Sequence, residues 1–117
     1  MILSCAEGRI KSMRQILYKR LKRISSRLKR EYKARKVILY GSYARGDETC
    51  DSDIDLFIVA PTRQRLIDRM ANVRGLIRDL KKGLPVQPIV CTPKELEKRI
   101  KMKDPFIAEI IEEGTYL

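Results

Sequence analysis

Two aspartates one residue apart, Asp53 and Asp55, lie 12 residues beyond the dipeptide Gly41-Ser42. On an extended backbone, residues two apart share a face, so both carboxylates project together, roughly 7 Å apart along the chain. Two acids held that close repel unless a cation lies between them. Mg²⁺ suits oxygen ligands of this kind and keeps coordination sites for phosphate oxygens. By itself, Asp-x-Asp reads more plainly as a solvated turn. A calcium loop fails: Asp51, Asp53 and Asp55 imitate its first ligands, but Leu56 stands where glycine is required and Thr62 where glutamate is required.

The other half of the constellation is Gly41-Ser42-Tyr43-Ala44-Arg45-Gly46, directly after the apolar run Val37-Ile38-Leu39-Tyr40. A strand that feeds a glycine turn and a helix start gathers free backbone N–H groups at one point, which suits an anion. Gly41 lets a phosphate approach the backbone, Ser42 adds a hydroxyl donor, and Arg45 can add charge. The pattern is not a P-loop, since no Gly-Lys-Ser/Thr follows. Either half alone is weak. Together they set a phosphate cradle beside a carboxylate pair.

Other chemistries are closed off. The chain of 117 residues has no histidine, which removes Ser-His-Asp and Cys-His catalysis and His-ligated zinc. Its cysteines, Cys5, Cys50 and Cys91, suggest neither a disulfide framework nor a zinc site, and read as reduced, mostly buried thiols. No apolar run is long enough to span a membrane, so a cytoplasmic protein is expected. The net charge of +11 is lopsided, because residues 9–36 carry 13 Lys or Arg against one acid, Glu31. That field favours RNA or an acidic surface, or simply marks a solvated helix face.

Several elements must position these groups. Ile10, Met13, Leu17, Leu21, Ile24 and Leu28 recur with helical period, predicting a basic N-terminal helix at about 8–33. Val37–Tyr40 and Ile54–Ala60 read as buried strands, and Ser42 as the cap of a short helix ending at Gly46. A helix follows from Thr62 to Gly83 through Leu66, Met70, Val73, Ile77 and Leu80. Val86–Cys91, interrupted by Pro88, reads as an edge strand. Thr92-Pro93-Lys94-Glu95 is a capping box, and Asp104-Pro105 opens a last helix that closes at Gly114. The order α-β-α-β-α-β-α-α predicts a mixed α+β fold in one domain over 1–117, with a small mixed sheet of three or slightly more strands.

The two halves, Gly41 to Gly46 and Ser52-Asp53-Ile54-Asp55-Leu56, closely resemble the signature of the DNA polymerase β-like nucleotidyltransferases. The nearest match is the minimal nucleotidyltransferase group, of the HEPN/MNT antitoxin type. The resemblance covers most of residues 36–114. It implies a nucleotidyltransferase fold, triphosphate held by Gly41 and Ser42, and Asp53 and Asp55 as catalytic metal ligands. Arg45 falls on a motif position that is often basic. It further implies Mg²⁺ or Mn²⁺, ATP as nucleoside triphosphate, and transfer of AMP to a hydroxyl, such as a tyrosine of a HEPN-type toxin partner. The family pattern has a third acid where this chain has Gln87. Glutamine can offer a carbonyl oxygen but no charge, and cannot act as a base. Gln87 therefore keeps a second expectation open, a transferase-fold module that acts by contact with its partner.

Overall fold

The computed structural model describes the backbone of residues 2–117 and the side chains from Arg14 onward. Helix α1 (Ile2–Glu31) leads to strand β1 (Lys36–Tyr40), the short helix α2 (Ser42–Arg45) and strand β2 (Ile54–Val59). Helices α3 (Leu66–Leu76) and α4 (Arg78–Lys81) precede strand β3 (Val86–Cys91). Helices α5 (Pro93–Lys101) and α6 (Pro105–Glu113) and a two-residue strand β4 (Thr115–Tyr116) close the chain.

The sheet has four strands in the order β3-β2-β1-β4. β1 runs antiparallel to β2 and β4, whereas β3 is parallel to β2, so the sheet is mixed as expected and β3 lies at an edge. β4 had no signal in the sequence, since two residues carry no periodicity. Alternation along each strand divides the core in two. Val37, Leu39, Ile54, Leu56 and Ile58 pack under Leu21, Ile24 and Leu28 of α1 and Val73 of α3. Ile38, Phe57, Val59 and Cys91 face the other way, against Ile107 and Ile110 of α6. Gly114 packs hard against Ile38 and the Ile110 carbonyl, so no larger residue fits where the chain leaves α6 for β4.

The apolar stripe of α1 docks as read from Leu21 onward, while Ile10, Met13 and Cys5 lie outside the described side chains. Cys91 is buried but Cys50 is exposed, contrary to the expectation for it, and both are unpaired. Among the described residues no helix is long and apolar enough to cross a membrane.

Part of the α1 charge has an internal use. Arg20 donates to the carbonyls of Leu80 and Lys81 at 3.0 and 2.7 Å, and Arg27 to that of Leu76 at 3.2 Å. Those carbonyls end α3 and α4, where helices leave acceptors unsatisfied and favour positive charge. Lys22 donates to the carbonyl of Leu117 at 3.0 Å. The basic face thus pins down two helix ends and the chain terminus.

The helix expected from Thr62 to Gly83 is corrected in two ways. It starts at Leu66, because the Thr62 hydroxyl accepts from the Gln64 N–H at 3.1 Å and closes a turn instead of capping a helix. It also breaks at Ile77 (φ −106°, ψ 5°) into α3 and α4. Both Thr92 and Asp104 cap their helices as read.

The exposed flank of β3 is covered from α3. The guanidinium of Arg69, only 8% exposed, donates to Glu95 at 2.7 Å, to the Gln64 carbonyl at 2.9 Å and to the Val90 carbonyl at 3.4 Å. Glu95 also accepts from the Thr92 N–H at 2.8 Å, so one ion pair ties α3, β3 and α5 together. Arg69→Ala strands these acceptors. It should cost roughly 2 kcal/mol, less than the ~3–5 of a fully buried pair because Glu95 is half-exposed. A lowered denaturant midpoint at unchanged slope would show this, and an unchanged midpoint would remove the strut from the account.

Candidate active site

Strand register builds the site. Tyr40 stands opposite Asp55 on β1 and β2, and Gln87 stands opposite Asp55 on β2 and β3. All three belong to the sheet face that α6 covers further along, so they form a row across three strands. Gln87 is exposed, and Asp55 half-buried. The sheet therefore brings position 87 alongside Asp55.

The chain turns out of β1 at Gly41, whose backbone (φ 77°, ψ −153°) lies in a region essentially closed to residues with a side chain. The reason is local. A Cβ at position 41 would lie 2.5 Å from Oδ2 of Asp55. Gly41 and Asp55, which belong to separate motifs in the sequence, are thus immediate neighbours in space. Ser42 is the first residue of α2 and not its cap, a correction: Gly41 holds the cap position and no side chain caps the helix. The Ser42 hydroxyl is thereby left to other partners. The leading N–H groups of α2 have no preceding turn to bond.

β2 begins at Ile54, as read, so Asp53 precedes the strand and the alternation along β2 does not itself set it on the face of Asp55. Asp53 is the exposed last residue of a loop held by Thr49 and Ser52: the Thr49 N–H donates to the Ser52 hydroxyl at 2.9 Å, and the Ser52 N–H to the Thr49 carbonyl at 3.1 Å. It still lies close enough for its charge to act on Asp55. Burial, then the Asp53 charge, raise the Asp55 carboxyl above its ordinary range, and Arg45 works against them. Arg45 is exposed and pairs with Asp47 at 3.3 Å and Glu109 at 4.0 Å. Burial and the Asp55 charge also push the Tyr40 hydroxyl up to about 12, so it stays a hydrogen-bond donor. The Tyr40 ring meets Phe106 edge to face, centroids 5.7 Å apart.

Between Gly41, Tyr40 and Arg45 on one side and Phe106 and Glu109 on the other is a cavity of about 150 Å³. A larger one, about 670 Å³, lies on the opposite sheet face under α1, beside Leu39 and Tyr43. The first is lined by Gly41, the neighbour of Asp55, and the second is not, so size is no guide to the chemistry here.

Among the described residues no third acid or thiol joins Asp53 and Asp55. Two carboxylates are nevertheless a sufficient protein set for Mg²⁺, which takes its remaining ligands from water and phosphate. The raised Asp55 is the observation that fits: the pair is held at a cost that a cation would remove. Two residues here had no sequence signal. Tyr40 read only as strand, and Arg74 of α3 donates to Oε1 of Gln87 at 3.0 Å across 13 residues of sequence.

This mixed sheet with its helices is consistent with the nucleotidyltransferase fold. Residues 21–117 match the nucleotidyltransferase domain family, and the chain belongs to that family. Curated relatives agree. A provisionally named protein adenylyltransferase of Methanocaldococcus jannaschii is 36% identical over 102 residues, covering 85% of this chain and 95% of its own. Two further proteins of that organism, named in the same way, are 35% and 31% identical, over 64% and 74% of this chain. The matched part spans about half, 52%, of the first of these two and 78% of the second.

Two outcomes test the geometry. Gly41→Ala must leave its backbone region or displace Asp55, and should cost about 1–3 kcal/mol in chemical unfolding. Asp55 tests function against stability. Its folded pKa lies above its ordinary value of 3.8, so the folded state holds the proton more tightly. Its contribution is favourable below that ordinary value and is lost as pH rises through the raised folded value. Asp55→Asn should therefore melt at or slightly above wild type at pH 7 without divalent ions, and the difference should vanish in acid. A clearly lower melting temperature would make the carboxylate structural.

Proposed function

We propose that the chain transfers AMP from ATP to a hydroxyl group of a protein, with Asp53 and Asp55 as ligands of Mg²⁺ or Mn²⁺. The observation that carries this is the contact of Gly41 with Asp55, which joins the phosphate-type turn to the paired carboxylates. The names of the relatives supply the nucleotide and the class of acceptor. The resemblance to the minimal nucleotidyltransferases narrows the acceptor to a tyrosine of a HEPN-type toxin, with this chain as its antitoxin.

In this reading Gly41, Ser42 and the leading N–H groups of α2 hold the triphosphate, and Arg45 adds positive charge at its edge. Asp53 and Asp55 would hold a divalent cation, which would supply charge neutralisation to the phosphates at the reacting bond. The new bond joins that oxygen to the α-phosphorus, and pyrophosphate departs with the electrons of the broken bond. Gln87 cannot accept the acceptor's proton, which passes to one of the aspartates or to water. Tyr40 and Phe106 wall the site on the α6 side.

A second reading, inhibition of the partner by contact alone, is favoured by Gln87 itself, because it stands where the family pattern has an acid. RNA binding through the basic segment 9–36 has less support, since Arg20, Lys22 and Arg27 are engaged inside the fold.

The test is label transfer from α-labelled ATP to a co-expressed HEPN-type partner. Transfer should need divalent metal and fall by at least about a hundredfold in Asp53→Asn or Asp55→Asn. Transfer that survives both substitutions would exclude this site. A wild type that silences its partner without labelling it would establish the contact reading.

A further inference from the structure

The bond from Arg74 to Gln87 changes what the third corner of the site is. Arg74 belongs to α3, which packs on the far sheet face through Val73. Its side chain rounds the edge of β3 to Gln87, which shares a face and a register position with Asp55. Arginine carries only donors, so the amide atom that meets it must be the carbonyl oxygen, whichever way the amide is drawn. That oxygen is the one atom through which Gln87 could bind a metal. It is already turned toward a cation.

The contrast with Arg69, on the same helix, is informative. Arg69 is buried and neutralised by Glu95 at 2.7 Å. Arg74 is exposed, and among the described residues it forms no ion pair; its partner is a neutral amide. Most of its donor fork is left unused. Gln87 is the register partner of Asp55, so the guanidinium that it holds stands one side chain removed from Asp55, on the free-edge side of the row. An acid at position 87 would give that row a further negative charge. Here the same position holds a positive one.

We propose that Arg74, steadied by Gln87, is a phosphate-binding residue of the nucleotide site. It supplies fixed positive charge that a third carboxylate would otherwise have to recruit as a further metal ion. The planar fork of arginine suits phosphate oxygens, which it can meet with two parallel bonds. The inference rests on the nucleotidyl-transfer reading and assigns a new group to that site. It also changes what restoring the acid would do. In Gln87→Asp the new carboxylate pairs with Arg74, and each withdraws the other from the ligand.

The experiment is calorimetric binding of α,β-methylene-ATP, which cannot be cleaved at the reacting bond, to the full chain at fixed Mg²⁺. Arg74→Ala should weaken binding about tenfold or more, the scale of a charged hydrogen bond. Arg74→Lys should recover part of the loss, and AMP should lose far less than the triphosphate analogue. Gln87→Asp should weaken binding, and Gln87→Asp with Arg74→Gln should bind again but only at higher Mg²⁺. Arg74 is exposed, so melting temperatures should stay near wild type; if Arg74→Ala fails to fold, Arg74→Gln replaces it. Wild-type affinity in the Arg74 variants, with binding lost in Asp55→Asn, overturns this inference and leaves the transferase reading standing. No binding by wild type overturns both.

Discussion

The site depends on one close approach, that of the Gly41 backbone to the Asp55 carboxylate. It follows from the antiparallel pairing of β1 with β2, which sets the last residue of one strand, Tyr40, opposite the second residue of the other, Asp55. The chain then has to turn away directly over Asp55, and only a residue without a side chain can do so there. The turn delivers the start of α2 to the carboxylate. A shift of one residue in that pairing would send Asp55 into the core and Leu56 to the surface. The apolar pattern of β2, with Ile54, Leu56 and Ile58 fully buried, prevents that slip. The register that gives the protein its core is the register that assembles its site.

Charge in this protein is distributed by task. The basic α1 looked in sequence like a surface for a polyanion. In the structure, Arg20 and Arg27 close the carbonyl ends of α3 and α4, and Lys22 that of the chain terminus. These contacts fasten α1 over the sheet alongside its apolar stripe, and they bind α3, the helix that carries both Arg69 and Arg74. The remaining basic residues of α1 still make a positive field, which can draw in an anionic nucleotide or an acidic partner. Selecting between those is a matter of shape, which a charge count does not contain.

The legible parts of the sequence were those governed by local rules. Period-two alternation in Ile54-Asp55-Leu56 separated the core face from the site face before any coordinates were known. Thr92 and Asp104 announced their helices through side-chain capping, and Pro88 marked an edge strand. Local rules also misled. Thr62 has the same chemistry as Thr92, but its hydroxyl bonds the Gln64 N–H and the helix starts later. The alternation that pairs Asp53 with Asp55 assumes an extended strand through both, yet Asp53 ends the preceding loop. What could not be read at all was side-chain reach between elements. Nothing in the sequence distinguishes Arg69, buried on Glu95, from Arg74, turned to Gln87, because their difference lies in what each one meets along the free edge of β3.

The neutral Gln87 bears on how the site balances its charges. Asp55 already carries a cost, since burial and Asp53 together hold its carboxyl above the ordinary range. A third acid in the same row would add repulsion to a pair with no metal to relieve it, and would deepen the dependence of the fold on bound cation. Glutamine removes that repulsion, and Arg74 beside it reverses the sign at that corner. Arg45 acts likewise on the other flank, where it already opposes the rise in Asp55. Arginine thus stands near Asp55 at Arg45 and beside its register partner Gln87 at Arg74. Such an arrangement repels itself less in the absence of ligand than three acids would. Under the proposed function, a metal–nucleotide complex would meet both signs of charge, whereas a bare metal ion or a bare phosphate would meet only one of them.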